Sequence, residues 1–109
     1  MNFSGKTAIV TGAASGMALL FCKKFADLGG NVVMTDINGD ILTEKAAEIN
    51  AENPGKALAA VCDVRKYEEV CAVRDLAVKT YGSIDVMVNL APFLSIILKS
   101  FHVVIIFKR

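Results

Sequence analysis

The stretch TGAASGMA, residues 11–18, decides how the rest of the chain is interpreted, because it separates two very different patterns. Before it, residues 6–11 read KTAIVT, a short apolar run typical of a strand buried on both faces. After it, apolar side chains recur at three- and four-residue steps, at Met17, Leu20, Phe21, Phe25 and Leu28. The chain therefore begins with a strand, a glycine turn and a helix that is predicted to stop at Gly29 and Gly30.

The same order of elements continues down to residue 91. Further strands are predicted at 31–36, 56–64 and 84–91, with a helical pattern before each of the last two. Alternating strands and helices predict an α/β fold with a parallel, Rossmann-like sheet. Its four strands and three helices leave it incomplete, because parallel sheets need cover on both faces.

The bulk composition excludes several classes of protein. A chain of 109 residues allows one small domain, and a net charge of +1 without a basic face argues against nucleic-acid binding. The three cysteines show no disulfide or zinc spacing, so a reducing, cytoplasmic setting is expected, without a bound metal. No export signal is recognisable, and Lys99 and His102 interrupt the apolar tail, which argues against a membrane span.

The glycine turn has the features of a phosphate site. Gly12 can adopt a backbone conformation closed to other residues, and Gly16 lets a ligand approach the main chain. The helix that follows offers unpaired N–H groups and a partial positive charge, which suit a pyrophosphate. The alternative is that both glycines only make a tight connection between strand and helix.

Asp36 favours the phosphate interpretation. It ends the second strand about twenty residues after the turn, where a carboxylate can accept hydrogen bonds from the ribose of adenosine. A carboxylate there repels a 2′-phosphate, so NAD is predicted in preference to NADP. The alternative is a solvated turn residue before Asn38 and Gly39.

Two more polar residues lie at predicted strand ends. Asp63 could accept a hydrogen bond from the adenine amino group, or serve as a turn or helix-capping residue. Asn89 could bond loop backbone or ribose, or have a purely structural role.

With these residues in view, the chain resembles the short-chain dehydrogenase/reductase family. Four segments match the family pattern: TGAASGMA at 11–18, the pair TD at 35–36, CDV at 62–64 and GSIDVMVNLA at 82–91. The resemblance implies a dinucleotide-binding domain over residues 1–92, which is only the N-terminal part of a family member. It places the following residues around the cofactor: Gly12, Ser15, Gly16 and Met17 at the diphosphate, Asp36 at the ribose, Asp63 and Val64 at the adenine, and Asn89 to Ala91 near the ribose and nicotinamide.

The sequence departs from the family pattern at three positions. Ala18 stands in place of the third glycine, Leu90 in place of the second asparagine, and Pro92 in place of the glycine after the alanine. Pro92 fixes its own φ and lacks an N–H where the family loop is open. The departure from the family therefore starts there.

The family's catalytic residues are not recognisable. Family members use a tyrosine with a lysine four residues later, and a serine, to reduce carbonyls or oxidise alcohols. Tyr67 and Tyr81 are followed at that spacing by Cys71 and Asp85. No catalytic residue is assigned, and His102 has no partner at a recognisable spacing.

Residues 93–109 follow neither the family nor a clear amphipathic pattern. HVVIIF, residues 102–107, could add a fifth strand or form an exposed adhesive segment. A truncated or frame-shifted form of a longer gene is the favoured explanation. The sequence thus predicts the cofactor-binding part of an NAD-dependent oxidoreductase whose complete relatives act on small alcohols or carbonyls. The alternatives are a non-catalytic binding module and a fragment without function; association into a homo-oligomer stays open.

Overall fold

A computed structural model of the protein describes residues 2–89 and 104–107. Strands and helices alternate over the first of these ranges, as the sequence predicts. The elements are β1 (Thr7–Thr11), α1 (Gly16–Asp27), β2 (Asn31–Asp36), α2 (Gly39–Glu52), β3 (Ala57–Val61), α3 (Tyr67–Tyr81), β4 (Val86–Asn89) and β5 (Val104–Phe107). Of the helices within the described residues, none is both long and apolar enough to cross a membrane.

The described strands form one sheet in the order β3-β2-β1-β4-β5. The first four strands are parallel, which confirms the predicted Rossmann-like architecture. β5 pairs with β4 in the antiparallel direction, with Asn89 opposite Val104. The fifth strand, one of the two interpretations offered for HVVIIF, is present over Val104–Phe107, and its direction is opposite to the rest of the sheet.

The two faces of the sheet are covered by different helices. Val10 and Met34 belong to one apolar cluster with buried residues of α1 and α2, whereas Ile9 and Val33 pack with residues of α3. This alternation follows from the period of two along each strand. Each fully buried Val or Met side chain stabilises the fold by about 1.5–3 kcal/mol relative to an exposed one.

The face that α1 buries differs from the predicted one. Met17, Leu20 and Leu28 are exposed, and of the predicted stripe only Phe25 is fully buried. The buried residues of α1 are Ala18, Cys22, Phe25 and Ala26. Small side chains let the helix pack close to the sheet, so the larger apolar residues beside them remain at its rim.

The end of α1 confirms the predicted stop. The Gly29 amide donates to the Ala26 carbonyl (3.0 Å) and the Gly30 amide donates to the Phe25 carbonyl (2.9 Å). This is the hydrogen-bond pattern of a Schellman motif, and Gly29 has the positive φ, +93°, that the motif requires.

The third strand is shorter than predicted. β3 ends at Val61 rather than at residue 64, so Asp63 lies two residues beyond the strand. The cause is a turn in which the Asp63 carboxylate accepts a hydrogen bond from the Arg65 amide. β4 is shorter than the predicted 84–91 as well, and its last residue is Asn89.

Asp85 fixes β4 beside β1 at the amino ends of the strands. Its Oδ2 accepts hydrogen bonds from the Thr7 amide and the Ser83 hydroxyl, both at 3.0 Å. Its own amide donates to the Thr7 carbonyl at 2.9 Å. The register set here brings Thr11 opposite Asn89 at the carboxyl ends of the two strands.

Candidate functional site

The candidate site lies at the carboxyl edge of the sheet, where β1 and β4 are neighbours. The helices that follow β1 and β2 pack on one face, and α3, which leads into β4, packs on the other. A crevice at such a reversal is the usual ligand site of open parallel sheets. The glycine turn leaves β1 at this point, and Asp36 ends the adjacent strand.

The glycine turn has the backbone geometry that the sequence predicts. Gly12 and Gly16 have φ values of +63° and +64°, which side chains rarely allow. Ser15 lies between the turn and α1 with extended backbone, and its side chain does not cap the helix. A Cβ at Gly16 would have no atom within 4 Å, so the turn is open on this side.

The first turn of α1 faces this open space with unpaired amides. The Leu19 amide is the first to bond within the helix, to the Ser15 carbonyl (3.4 Å), which leaves those of Gly16, Met17 and Ala18 for a ligand. This first helical turn of α1 contains no acidic side chain, and the Met17 side chain is 59% exposed. The helix end can therefore accept an anion such as a diphosphate.

Asp36 joins the glycine turn to the end of β2. Its Oδ2 accepts a hydrogen bond from the Ala14 amide, inside the turn, at 3.0 Å. Its Oδ1 accepts one from the Asn38 amide, also at 3.0 Å. Each carboxylate oxygen keeps a further lone pair, so two hydroxyl groups can still be bound. The contact with Ala14 was not predicted, because no sequence pattern marks an amide that lies 22 positions away.

The end of β3 lies beside Asp36. The Cys62 amide donates to the Asp36 carbonyl (3.1 Å), which extends the pairing of β2 and β3 by one bond. Ile37 and Val61, next to this point, are 65% and 60% exposed, and Val64 is half-buried. Exposed apolar side chains beside polar ones suit a flat heterocyclic ring. Ile37 and Val61 were not predicted as site residues.

Arg65 holds the Asp63 carboxylate in a bidentate ion pair. Oδ1 of Asp63 accepts from Nε of Arg65 (2.9 Å), and Oδ2 accepts from Nη2 (2.7 Å). The Arg65 amide adds a third bond to Oδ1 at 3.0 Å. The Arg65 side chain is 55% exposed, whereas that of Asp63 is only 13% exposed. Asp63 therefore does act as a turn residue, and the three bonds from Arg65 hold its carboxylate in one orientation.

Glu69 fixes the backbone of the same loop. Its Oε1 accepts from the Asp63 amide at 2.9 Å, and its Oε2 lies 3.6 Å from Nζ of Lys66. Both the carboxylate and the amide of Asp63 are therefore held, which orders the loop between β3 and α3.

The ion pair with Arg65 lowers the pKa of the Asp63 carboxyl from 3.8 to about 2. Because the folded-state pKa is the lower one, the ionised carboxylate stabilises the fold above pH 3.8. That stabilisation is lost as the pH falls from about 4 to about 2. We expect carbon-detected NMR titration to give a midpoint near 2 for Asp63, and Arg65→Ala to move it towards 3.8. An unchanged midpoint in Arg65→Ala would contradict the ion pair.

The remaining predicted residues are only partly described. Asn89 ends β4 opposite Thr11, so its backbone reaches the carboxyl edge. Ala91, Leu90 and Pro92 lie outside the described residues, as do residues 93–103.

The two tyrosines have raised pKa values. A hydrogen bond with Cys71 raises the pKa of the Tyr67 hydroxyl, and burial raises that of Tyr81. The Tyr81 hydroxyl donates to the Gly55 carbonyl (3.1 Å), which precedes β3 and so lies away from the carboxyl edge. These directions are opposite to what an efficient proton donor at neutral pH needs.

Comparison with known proteins supports the geometry. The family model for short chain dehydrogenases matches residues 6–102. An uncharacterised oxidoreductase of Bacillus subtilis, YuxG, is 40% identical over 89 residues, which are 81% of this chain. A short-chain dehydrogenase/reductase from Burkholderia phymatum, crystallised in complex with NAD, matches 80% of the chain with a TM-score of 0.75 and 29% identity. L-sorbose reductase from Gluconobacter frateurii, crystallised with NADPH and L-sorbose, matches 79% with a TM-score of 0.73 and 30% identity.

The matches span only part of these proteins. The chain covers 13% of the Bacillus oxidoreductase, 31% of the Burkholderia protein and 33% of the sorbose reductase. The resemblance noted in the sequence is nevertheless confirmed, because the family model extends over most of the chain. The chain belongs to the short-chain dehydrogenase/reductase family.

Proposed function

We propose that this chain binds NAD and forms the cofactor-binding part of an oxidoreductase. We assign residues 1–92 to the dinucleotide-binding domain and residues 93–109 to an atypical segment that follows it, although the family model extends into that segment as far as residue 102. In this proposal the turn from Gly12 to Met17, including Ser15 and Gly16, binds the diphosphate. Asp36 binds the adenosine ribose, Asp63 and Val64 hold the adenine, and Asn89 to Ala91 lie beside the nicotinamide half.

The hydrogen bond from the Ala14 amide to Asp36 carries this proposal. It sets the diphosphate turn and the ribose acceptor at a fixed distance, so one dinucleotide can contact both. A loop that is already ordered loses little conformational entropy when the ligand binds. Two similar proteins were crystallised with NAD and NADPH, which supports a nicotinamide dinucleotide as the ligand class.

Preference for NAD rests on the charge at the end of β2. The Asp36 carboxylate would repel a 2′-phosphate, and it already uses two lone pairs on backbone amides. The two residues that follow, Ile37 and Asn38, carry no positive charge to offset this repulsion. NADP would therefore place its phosphate against a fixed negative charge.

A bound nicotinamide dinucleotide supplies hydride chemistry, and complete relatives would apply it to a small alcohol or carbonyl substrate. We propose that this chain by itself orients the cofactor and does not catalyse the transfer. Neither tyrosine has a lysine four residues later, and both have raised pKa values. The same observation favours a second candidate, a non-catalytic dinucleotide-binding module. A cytoplasmic location belongs to the proposal because the three cysteines are free thiols.

Calorimetric titration of the purified 109-residue chain tests the proposal. We expect saturable binding of NADH and at least about tenfold weaker binding of NADPH. NADH formation from a panel of alcohols should be absent for the chain alone. Equal affinity for both nucleotides would overturn the NAD preference, and no binding of either would overturn the function. Turnover by the chain would contradict the catalytic part.

A further inference from the structure

The ion pair between Arg65 and Asp63 is more elaborate than a turn requires. The Arg65 amide alone closes the turn through its bond to Oδ1 of Asp63. The guanidinium adds one bond to each carboxylate oxygen, at 2.9 and 2.7 Å. The arginine is 55% exposed, so solvent screening limits the stability that the ion pair adds through the lowered pKa of Asp63. A second effect of the guanidinium is to fix the geometry of the carboxylate.

The hydrogen bonds of Asp63 leave one of its oxygens able to accept from a further donor. Oδ1 already accepts two hydrogen bonds, whereas Oδ2 accepts one and keeps a lone pair. A planar guanidinium bound at both oxygens prevents the carboxylate from rotating about its last bond. The remaining lone pair of Oδ2 therefore points in one fixed direction.

We infer that Arg65 is a positioning residue for the base of the dinucleotide: it orients Asp63 so that Oδ2 accepts a hydrogen bond from the adenine amino group. The site then selects adenine over a base that carries a carbonyl at the same position. This inference rests on the proposed function, since it needs a dinucleotide in the crevice. It adds to that function a residue outside the family motifs, two positions after Asp63.

The location of the loop supports this assignment. Val61 pairs with Asp36, and the Cys62 amide bonds to the Asp36 carbonyl. Asp63 is the next residue after Cys62, so its backbone lies close to the end of the strand that carries the ribose acceptor. Glu69 accepts a hydrogen bond from the Asp63 amide and so holds the backbone at this residue. A carboxylate whose backbone and side chain are both fixed distinguishes well between a hydrogen-bond donor and an acceptor on the ligand. A ligand with an acceptor at that position leaves the carboxylate oxygen without a hydrogen bond.

The test compares two ligands that differ at one position of the base. NAD carries the amino group of adenine, whereas nicotinamide hypoxanthine dinucleotide carries a carbonyl oxygen there. Dissociation constants for both are measured by calorimetry with the full chain and its Arg65→Lys and Arg65→Ala variants. Arg74→Ala is the matched control, because Arg74 is also exposed and pairs with a neighbouring acid, Asp75. Thermal unfolding confirms that each variant is folded.

We expect the wild-type chain to prefer NAD by about tenfold, the usual effect of one hydrogen bond to a charged group. Arg65→Ala should reduce this preference to about twofold, and Arg65→Lys should lie between, because a single ammonium does not fix the carboxylate. Arg74→Ala should keep the wild-type ratio. A purely structural role of Arg65 would change both dissociation constants equally and leave their ratio unchanged, which would overturn the inference.

Asp63→Asn separates this inference from the proposed function. Its amide group can donate to the hypoxanthine carbonyl, so the preference should reverse. If Asp63→Asn reverses the preference while Arg65→Ala retains it, Asp63 reads the base without Arg65 and the inference is wrong. If the wild-type chain binds both dinucleotides equally, the inference fails and the proposed function stands. If it binds neither, the proposed function itself has failed.

Discussion

Asp36→Ala is expected to weaken NAD binding by about a hundredfold or more. Hydrogen bonds from ribose hydroxyls to a carboxylate are each expected to contribute about 1.5–3 kcal/mol, and alanine removes both. The variant also removes the acceptor of the Ala14 amide, so the diphosphate turn loses one of the bonds that hold it. Calorimetry with NADH measures the combined loss. The affinity for NADPH should fall much less, because the repulsion of its 2′-phosphate disappears.

Asp40→Ala is the matched control for this experiment. Asp40 is an exposed acid in the first turn of α2, four residues after Asp36, and its removal changes the net charge by the same amount. We expect it to leave NAD affinity within about twofold, because exposed charges are strongly screened. If the two variants have the same effect, Asp36 acts only through long-range charge. If Asp36→Ala keeps wild-type affinity, the ribose assignment is wrong.

The predicted parts of this fold are those that depend on local spacing. Continuous apolar runs located β1 and β2, and the glycines at 29 and 30 located the end of α1, because each signal lies within a few residues. The positive φ of Gly12 and Gly16 also follows from residue type, since few other residues tolerate it. The sequence was therefore sufficient to predict those features that neighbouring residues along the chain determine.

Contacts between distant segments could not be predicted in the same way. The run at 56–64 contains neither glycine nor proline, so its period could not show that β3 ends at Val61, and Asp63 was open to a ligand role as well as a turn role. The end is set by side-chain bonds of Asp63 to Arg65, which only the folded loop reveals. Likewise, the apolar pattern of β5 is the same for a parallel and an antiparallel strand.

The face of α1 that is buried against the sheet also differs from the predicted one. Hydrophobicity favoured Met17 and Leu20 as core residues, but the helix buries Ala18 and Cys22. The reason lies in the glycine turn, which sets the start of the helix and therefore which face meets the sheet. Leucine and methionine carry more apolar surface, yet the close approach of helix and strand favours small side chains near the start of α1. Phe25, nearer the other end of the helix, is the large residue on the buried face.

Gly30→Ala is expected to cause a large loss of stability, about 2–3 kcal/mol in the free energy of unfolding. A Cβ at this position would overlap the ring of Phe25, with even the more distant Cζ at 3.0 Å. The ring cannot move aside easily, because it is 3% exposed and stacks on Phe3 and Phe21 at centroid distances of 4.6 and 5.4 Å. The total free energy of unfolding of a small domain is about 5–15 kcal/mol, so urea unfolding will resolve the change.

Two further variants separate the overlap from a general effect of replacing glycine. Gly55 has a φ of +77°, but a Cβ at this position would have no atom within 4 Å, so Gly55→Ala should cost only about 1 kcal/mol through the backbone. In a Phe25→Leu background the ring is gone, and adding Gly30→Ala should then cost less than about 1 kcal/mol. An equal cost of Gly30→Ala in both backgrounds would show that the ring is not the obstacle. The sensitive feature would then be the backbone conformation at the end of α1, where the Gly30 amide, which alanine retains, bonds to the Phe25 carbonyl.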